Sequence, residues 1–229
     1  MTRKGSVPAQ IRTFALVGHR SSGKTSLGDV LIKTTGVTRA TGRVDNGTSL
    51  LDHEPEEKRR QLTLGPAFIW MNHGDHLLNL VDTPGSTDVA HERSLAVQAC
   101  DGAVVLVSAA DGVEVGTEKA LIELDDAKLP RIAVVSKMDR QHNLEQLLDG
   151  LNEATTSRVV QMEIPFYEDG RFVGVISLLD QKAYRYDEKG RYSPEPIPER
   201  YWADVSIGWE RVMEAVALTD DDLLEQYLE

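Results

Sequence analysis

The segment Gly18–Thr25, with the sequence GHRSSGKT, constrains the fold of this chain more than any other. It fits the pattern G-x-x-x-x-G-K-[ST], in which a glycine-rich loop wraps backbone N–H groups around a phosphate. The apolar run Phe14–Val17 precedes it, and apolar residues at helical spacing follow it. This order predicts a phosphate held at the positive end of a helix. We therefore expect nucleotide binding, with Lys24 reaching the terminal phosphates and the Thr25 hydroxyl binding magnesium.

Strand and helix patterns alternate through most of the chain, as in an α/β fold. The runs Ala103–Val107 and Ile132–Val135 are apolar throughout, which predicts central parallel strands covered by helices on both faces. The turn Asn72–Asp75 joins two strands into a hairpin, so the sheet should be mostly parallel with one antiparallel edge strand. The predicted strands are Arg12–Val17, Ala67–Met71, His76–Val81, Ala103–Ser108 and Arg131–Ser136, and the predicted helices are Lys24–Lys33, Asp88–Cys100, Thr117–Lys128 and His142–Glu153.

Between Gly36 and Gly65 lies a polar, charged segment with little periodicity. A connection of this length without regular structure is uncommon in a compact domain and is most often functional. We interpret it as a switch that senses the terminal phosphate of a nucleotide. Thr63, just before the next strand, is the candidate magnesium ligand, and an ordinary strand threonine is the alternative.

Two further motifs directly follow predicted strands. Asp82–Gly85, with the sequence DTPG, places a carboxylate where it can hold magnesium through water, and Gly85 can turn its N–H toward the γ-phosphate. In Ser136–Asp139, with the sequence SKMD, Asp139 can accept hydrogen bonds from N1–H and the amine of guanine. The stem of Lys137 would lie along the base. This pair predicts guanine rather than adenine, whereas a solvated lysine and aspartate in a loop would make no such choice.

In this order and spacing, the three motifs resemble those of the translational GTPases, most closely elongation factor G and its paralogues. Gly42–Asp52 resembles the switch of that family, and Pro130–Ala133 resembles the lead into its base-reading loop. The resemblance covers essentially the whole chain and implies a P-loop GTPase fold. It further implies hydrolysis of GTP to GDP and phosphate with Mg²⁺, in the cytoplasm. The implied partner is the ribosome, contacted through stalk proteins and large-subunit ribosomal RNA.

The motifs and the resemblance together define a candidate site. The catalytic candidates are Lys24, Thr63, Gly85 and Ser86, the last at the position of the family's usual histidine. The candidate nucleotide contacts are Gly18, His19, Arg20, Ser21, Ser22, Gly23, Lys24, Thr25, Ser26, Asp82, Gly85, Ser136, Lys137 and Asp139. The candidate magnesium ligands are Thr25, Thr63 and, through water, Asp82.

Departures from the family pattern keep two functional hypotheses open. Ser86 is too short and neutral to position an attacking water as the family's histidine does. The chain is therefore either a GTPase with slow turnover or a GTP/GDP-binding switch with little or no hydrolysis. An ATP-using P-loop kinase is a third class, which Asp139 disfavours. Ser21 and Ser136 replace an aspartate and an asparagine of the family, which predicts weaker nucleotide binding by about 1 kcal/mol for each lost hydrogen bond.

After Glu153 the pattern changes to short strands followed by helices. Residues 158–229 resemble the insertion subdomain of elongation factor G, its G′ region, and form a small α+β unit, whereas residues 1–157 form the GTP-binding domain. The predicted strands are Val159–Glu168, Arg171–Leu178 and Lys182–Tyr186. A stiff connection, Pro194–Pro198, should lead to a helix with one core stripe formed by Trp202, Val205, Trp209, Val212 and Val216. Thr219 is the predicted N-cap of a second helix.

The length and the charge of the chain limit the partners that we expect it to have. The family continues with a last strand and helix of the GTP-binding domain and with further domains, so we expect the 229 residues to be a piece of a longer protein. The sheet edge left exposed would favour self-association. A formal charge of −12 argues against nucleic acid as a ligand of the whole surface, although the acidity is concentrated between Asp187 and Glu229, with 12 acidic and 4 basic residues. No DNA partner is expected. No stretch is apolar enough for a membrane span or a secretory signal, so no membrane partner is expected.

Overall fold

The computed structural model of the chain describes residues 7–187 and 190–228. These residues form two compact units, the first ending at Thr156 and the second beginning at Ser157. Every helix in the described ranges is too short or too polar to span a bilayer.

The first unit is built on a five-stranded sheet. Its strands are β1 (Ile11–Val17), β2 (Ala67–His73), β3 (His76–Asp82), β4 (Gly102–Ser108) and β5 (Arg131–Ser136). They lie in the order β2-β3-β1-β4-β5. All neighbours pair in parallel except β2 and β3, which are antiparallel. The predicted mostly parallel sheet with one antiparallel edge strand is confirmed.

Helices cover this sheet because its central strand is apolar on both sides. The helices are α1 (Lys24–Thr34), α2 (Pro55–Arg60), α3 (Ala90–Gln98), α4 (Val115–Asp126) and α5 (Leu144–Glu153). Leu16 of β1 packs with Leu80 of β3 and Ile32 of α1 in one core cluster. Its neighbours Ala15 and Val17, which point the other way, are equally inaccessible to solvent. Each predicted strand and helix of this unit exists, with ends within two residues of the prediction.

Parallel pairing brings three loops to one edge of the sheet, because parallel strands end on the same side. The glycine-rich loop follows β1, the DTPG segment continues from β3, and the SKMD segment continues from β5. Thr83 ties two of these loops together, since its hydroxyl donates to the Leu16 carbonyl at 2.6 Å. The fold therefore gathers motifs that lie far apart in sequence.

The switch segment between Gly36 and Gly65 is more regular than predicted. It contains a 3₁₀ turn, Val44–Asn46, and the short helix α2. Helix α2 has a proline in its first turn and ends at Arg60, and the following Gln61 adopts a left-handed conformation with φ of 51°. The prediction failed because α2 spans only 6 residues, too few for hydrophobic periodicity to mark it. The sequence Glu-Pro-Glu-Glu at its start was the available signal.

The second unit packs helices on a four-stranded antiparallel sheet. Its strands, β6 (Glu163–Glu168), β7 (Arg171–Ser177), β8 (Lys182–Tyr186) and β9 (Tyr192–Glu195), pair in sequence order. The helices are α6 (Trp202–Ala217) and α7 (Asp221–Leu228). Phe166 and Ile176 of the sheet form the core with Val205 and Val212 of α6. The sheet and helices give this unit the predicted α+β character.

The first strand of the second unit begins at Glu163 rather than at the predicted Val159. Three further details of this unit differ from the prediction. The apolar stripe of α6 is only partly core, since Trp202 is 52% exposed and Val216 is 47% exposed. The core face of α6 instead includes Gly208, where an added Cβ would lie 2.9 Å from Leu178. Pro194 belongs to β9 rather than to a connection, at a sheet edge where proline is tolerated.

The N-cap of α7 is the third difference. Asp220, not Thr219, caps this helix, because the Asp220 carboxylate accepts the N–H groups of Asp222 and Leu223 at 2.9 and 3.2 Å. The Thr219 hydroxyl donates back to the Val216 carbonyl at the end of α6. Both residues are plausible caps by type, and only the backbone path selects one of them.

This cap can be tested by substitution. Asp220→Ala should destabilise α7 by about 1 kcal/mol, because two amides at the helix start lose their acceptor. Hydrogen exchange at Asp222 and Leu223 should accelerate accordingly. Thr219→Ala is the matched control and should leave exchange at these two amides unchanged; a larger effect there than in Asp220→Ala would contradict the assignment.

Candidate functional site

The glycine-rich loop closes around its own lysine. Gly18 and Gly23 adopt φ of 133° and 103°, a region that side chains disfavour. A Cβ on Gly18 would also lie 2.3 Å from the Leu106 carbonyl oxygen. The buried Lys24 donates from Nζ to the carbonyls of Gly18 and His19 at 3.1 and 2.7 Å. Loop carbonyls therefore hold the Lys24 ammonium group inside the loop, where a phosphate-binding lysine is expected.

The three predicted magnesium ligands lie together. The Thr25 hydroxyl donates to Asp82 Oδ2 at 2.7 Å, and its oxygen lies 3.1 Å from that of Thr63. Thr63 in turn donates to Asp52 Oδ1 at 2.9 Å. Since both hydroxyl protons are directed at carboxylates, the two hydroxyl oxygens face each other with lone pairs. Oxygen ligands arranged in this way suit a hard divalent cation such as Mg²⁺.

Burial shapes the charges of this cluster. Burial raises the pKa of the Asp82 carboxyl, and the nearby charges of Asp52 and Asp29 raise it further. The hydrogen bond from Thr25 and the charge of Lys24 act in the opposite direction. Burial lowers the pKa of Lys24, whereas the negative charge of Asp82 raises it. Asp82 Oδ1 is buried and accepts no hydrogen bond within the described residues. A cation beside Asp82 would satisfy this oxygen and stabilise the ionised carboxylate, so the residues present fit Mg²⁺.

Gly85 packs against the phosphate loop more tightly than any other residue type could. A Cβ there would lie 2.4 Å from Lys24 Nζ and 2.7 Å from the backbone of Arg20. The next residue, Ser86, is half-buried, and its hydroxyl is 3.5 Å from the Asp88 N–H. His91 is a surface residue whose ring lies 3.3 Å from Glu92. The DTPG turn thus reaches the loop, and a serine stands at the position next to it.

The SKMD segment is joined to the glycine-rich loop through a serine. The Ser136 hydroxyl donates to the Ser22 carbonyl at 2.6 Å, so it braces the loop despite replacing the larger asparagine. Lys137 has a positive φ of 58°, and its Nζ donates to Asp111 Oδ2 at 3.0 Å. Asp139 is exposed at the same edge of the sheet. Its carboxylate is therefore accessible to a ligand.

The remaining predicted contacts belong to the loop itself. Arg20, Ser21 and Ser26 are exposed, and Ser22 is buried with a hydroxyl that has no partner in the described chain. His19 turns away toward α4, where its Nδ1 accepts the Gly116 N–H at 3.2 Å and its Nε2 lies 3.3 Å from Glu114. His19 therefore positions the loop through its side chain.

Sequence reasoning missed several polar residues around this site. Asp52 binds Thr63, Glu57 binds the backbone after Thr63, and Asp29 accepts the Leu50 N–H at 3.2 Å. All three carboxylates are buried. Acidic residues in a polar stretch usually indicate a solvated surface, so their partners become evident only when the segment is folded.

Comparisons with known proteins agree with this geometry. Residues 9–218 match the family described as the elongation factor Tu GTP binding domain. Elongation factor G of Ureaplasma parvum serovar 3 is 31% identical over 224 residues, which cover 95% of this chain and 32% of that protein. Elongation factor G 2 of Syntrophus aciditrophicus is 30% identical, with 96% and 33% covered. The chain thus spans about a third of the length of these relatives.

A solved structure from Thermus thermophilus has the same fold. It superposes with a TM-score of 0.90 at 38% identity, covering 96% of this chain and 33% of the other. The predicted P-loop GTPase fold is confirmed by this match together with the family match. The chain belongs to the translational GTPase family, the family of the elongation factor Tu GTP binding domain, and its relatives named above are elongation factors G.

Proposed function

We propose that this chain binds GTP and GDP with Mg²⁺ and hydrolyses GTP to GDP and phosphate as part of a factor that acts in translation. One observation carries the proposal: Lys24, Thr63 and Asp82 are buried and lie in one cluster with the partly buried Thr25, beside the phosphate loop. On this proposal, residues 1–157 form the GTP-binding domain and residues 158–229 the G′-like insertion. A cytoplasmic location follows from a role in translation.

The residues of the cluster have different roles in phosphoryl transfer. Thr25, Thr63 and, through water, Asp82 would hold Mg²⁺, which would supply positive charge to the phosphates of the nucleotide. Lys24 and the loop N–H groups stabilise the charge that develops on the phosphate oxygens. Gly85 lies beside Lys24, where its N–H would approach the γ-phosphate. The transition state of this reaction is stabilised mainly by such positioned charges.

Guanine is selected at the edge that carries Asp139. Its carboxylate accepts N1–H and the 2-amine of guanine, while the stem of Lys137 covers the face of the base. The Lys137 ammonium group donates to Asp111 Oδ2, which holds this side chain in place. Adenine would leave the carboxylate unpaired.

The rate of GTP hydrolysis depends on how the attacking water is oriented, and Ser86 is poorly suited to orient it. A serine hydroxyl reaches less far than an imidazole and cannot carry a positive charge. We therefore propose slow hydrolysis. The alternative, a GTP/GDP switch with little or no hydrolysis, rests on the same residue, and both share the binding site described above.

The proposed partner is the ribosome. The second unit exposes large apolar side chains on and after α6, among them Trp202, Ile207, Val216 and Leu218, each at least 47% exposed. Exposed apolar groups of this kind serve protein contacts. We assign this surface to the ribosomal stalk proteins and the first unit to large-subunit ribosomal RNA, by resemblance to elongation factor G.

Nucleotide binding and base choice can be tested in one calorimetric titration. The chain should bind GDP in the presence of Mg²⁺ and should not bind ADP measurably at the same concentrations. Asp139→Asn should weaken GDP binding at least tenfold, because a hydrogen bond to a charged group contributes about 1.5–3 kcal/mol. Asp126→Asn, at an exposed aspartate that ends α4, is the control and should bind like wild type. Equal binding of ADP and GDP would contradict the guanine assignment.

The role of position 86 can be tested by restoring the larger side chain. Ser86→His should raise the single-turnover rate of GTP hydrolysis with ribosomes by about a hundredfold, the usual effect of a positioned acid or base. Ser86→Ala should leave the slow rate unchanged. A wild-type rate equal to that of Ser86→His would show that turnover does not depend on this position.

Self-association through the sheet edge is a further proposal. β5 is the outer strand of the described sheet, and Ile132 on it is 63% exposed. Size-exclusion chromatography at increasing concentration should show growth in apparent mass, which Ile132→Lys should abolish because edge charges oppose strand pairing. Ile122→Lys, at a 55% exposed position on α4, is the matched control and should still associate. A monomer at every concentration would contradict the proposal.

A further inference from the structure

Glu57 is the only buried residue of helix α2. The helix has 6 residues, and the other five face solvent to a larger degree. Glu57 itself is 1% exposed, although its side chain carries a carboxylate. An acidic group is costly to bury unless other groups satisfy its oxygens. The inward-facing position of this short helix is therefore occupied by an acid rather than by an apolar side chain.

The contacts of Glu57 surround Thr63. Its Oε1 accepts the N–H groups of Leu64 and Gly65 at 2.9 and 3.3 Å, and its own carbonyl accepts the Leu62 N–H at 3.1 Å. Its Oε2 accepts the Glu54 N–H at 3.0 Å, which closes the first turn of α2. Glu57 thus binds the backbone on both sides of Thr63.

This arrangement fixes the backbone, whereas Asp52 fixes the hydroxyl. Thr63 donates to Asp52 Oδ1 at 2.9 Å and lies 3.1 Å from the Thr25 oxygen. The partners of Glu57 are neutral amides, apart from the largely exposed His53 ring at 4.0 Å. A buried carboxylate without a close, buried cation adds little to the stability of the fold. The role of Glu57 therefore lies in the backbone geometry that it imposes.

We propose that Glu57 is a positioning residue that holds Thr63 against Thr25 and thereby sets the preference of the chain for a triphosphate over a diphosphate. The inference rests on the proposed function, in which Thr63 is a magnesium ligand in the triphosphate state. With Glu57 in place, the segment Leu62–Gly65 is already ordered when the nucleotide arrives. Without it, nucleotide binding would have to order this segment, which lowers the affinity for the triphosphate alone.

The test compares two neighbouring acids of α2. Glu57→Ala removes the acceptor of Leu64 and Gly65, whereas Glu56→Ala removes a surface carboxylate that pairs with Arg59 and Arg60. For each variant, the affinities for GDP and for a non-hydrolysable GTP analogue are measured with Mg²⁺ and with EDTA. In Glu57→Ala, the magnesium-dependent preference for the triphosphate over the diphosphate should fall roughly tenfold. A change of this size is within the usual range of coupling between two sites. Its GDP affinity should stay within about twofold of wild type, since the phosphate loop is intact. Glu56→Ala should match wild type in both.

A second measurement separates positioning from general destabilisation. Hydrogen exchange at Leu64 and Gly65 should accelerate in Glu57→Ala and stay slow in Glu57→Gln, because the amide oxygen of glutamine can still accept both N–H groups. Glu57→Gln should also keep most of the triphosphate preference, and it carries the comparison if Glu57→Ala does not fold. An unchanged preference in Glu57→Ala beside normal GDP binding overturns this inference alone. A wild-type chain that binds neither nucleotide overturns the proposed function.

Discussion

Burial of opposite charges at one edge of a parallel sheet is the constraint on which the rest of this structure depends. Lys24 and Asp82 lie behind the phosphate loop. Burial there lowers the pKa of Lys24 and raises the pKa of Asp82, so it favours the neutral form of each group. Such groups remain useful only if hydrogen bonds and a ligand stabilise their charged forms. The loop carbonyls bind Lys24, and the Thr25 hydroxyl binds Asp82. On the proposed function, these hydrogen bonds would hold both groups in place for a phosphate and a cation.

Around this cluster, the polar segment before β2 is held by side chains rather than by a core of its own. Asp29, Asp52 and Glu57 each direct a buried carboxylate at a hydroxyl or at backbone N–H groups of the same segment. Hydrogen bonds to charged groups contribute about 1.5–3 kcal/mol each, less than a packed helix would. A segment secured in this way can be released by modest changes at the nucleotide. This property suits a switch, and it also explains why the segment shows no hydrophobic period.

How far the sequence could be interpreted depended on the type of signal. The apolar run Ala103–Val107 identified the central strand β4, because a strand buried on both faces must be apolar throughout. The same reasoning was wrong for Ile132–Val135, which lies in the outer strand β5, where Ile132 is 63% exposed. Helix α2 was missed because a helix of 6 residues with one buried acid has no apolar stripe to detect. The α6 stripe misled in the opposite direction: Trp202 has the right spacing for the core, yet it is 52% exposed. Spacing defines a helix face, but only the neighbouring elements decide whether that face is covered.

The sequence by itself determined the chemistry of the site and the class of fold. The spacing of GHRSSGKT after an apolar run dictates a strand, loop and helix, and DTPG and SKMD follow further strands in an order that a parallel sheet brings to one edge. Only the tertiary structure decided which of many polar residues complete the site. Asp52 lies 11 residues from Thr63, and His19 lies 97 residues from Gly116, its hydrogen-bond partner on α4. No local pattern encodes such pairs, because they form when strands and helices assemble and bring separate segments within hydrogen-bond distance.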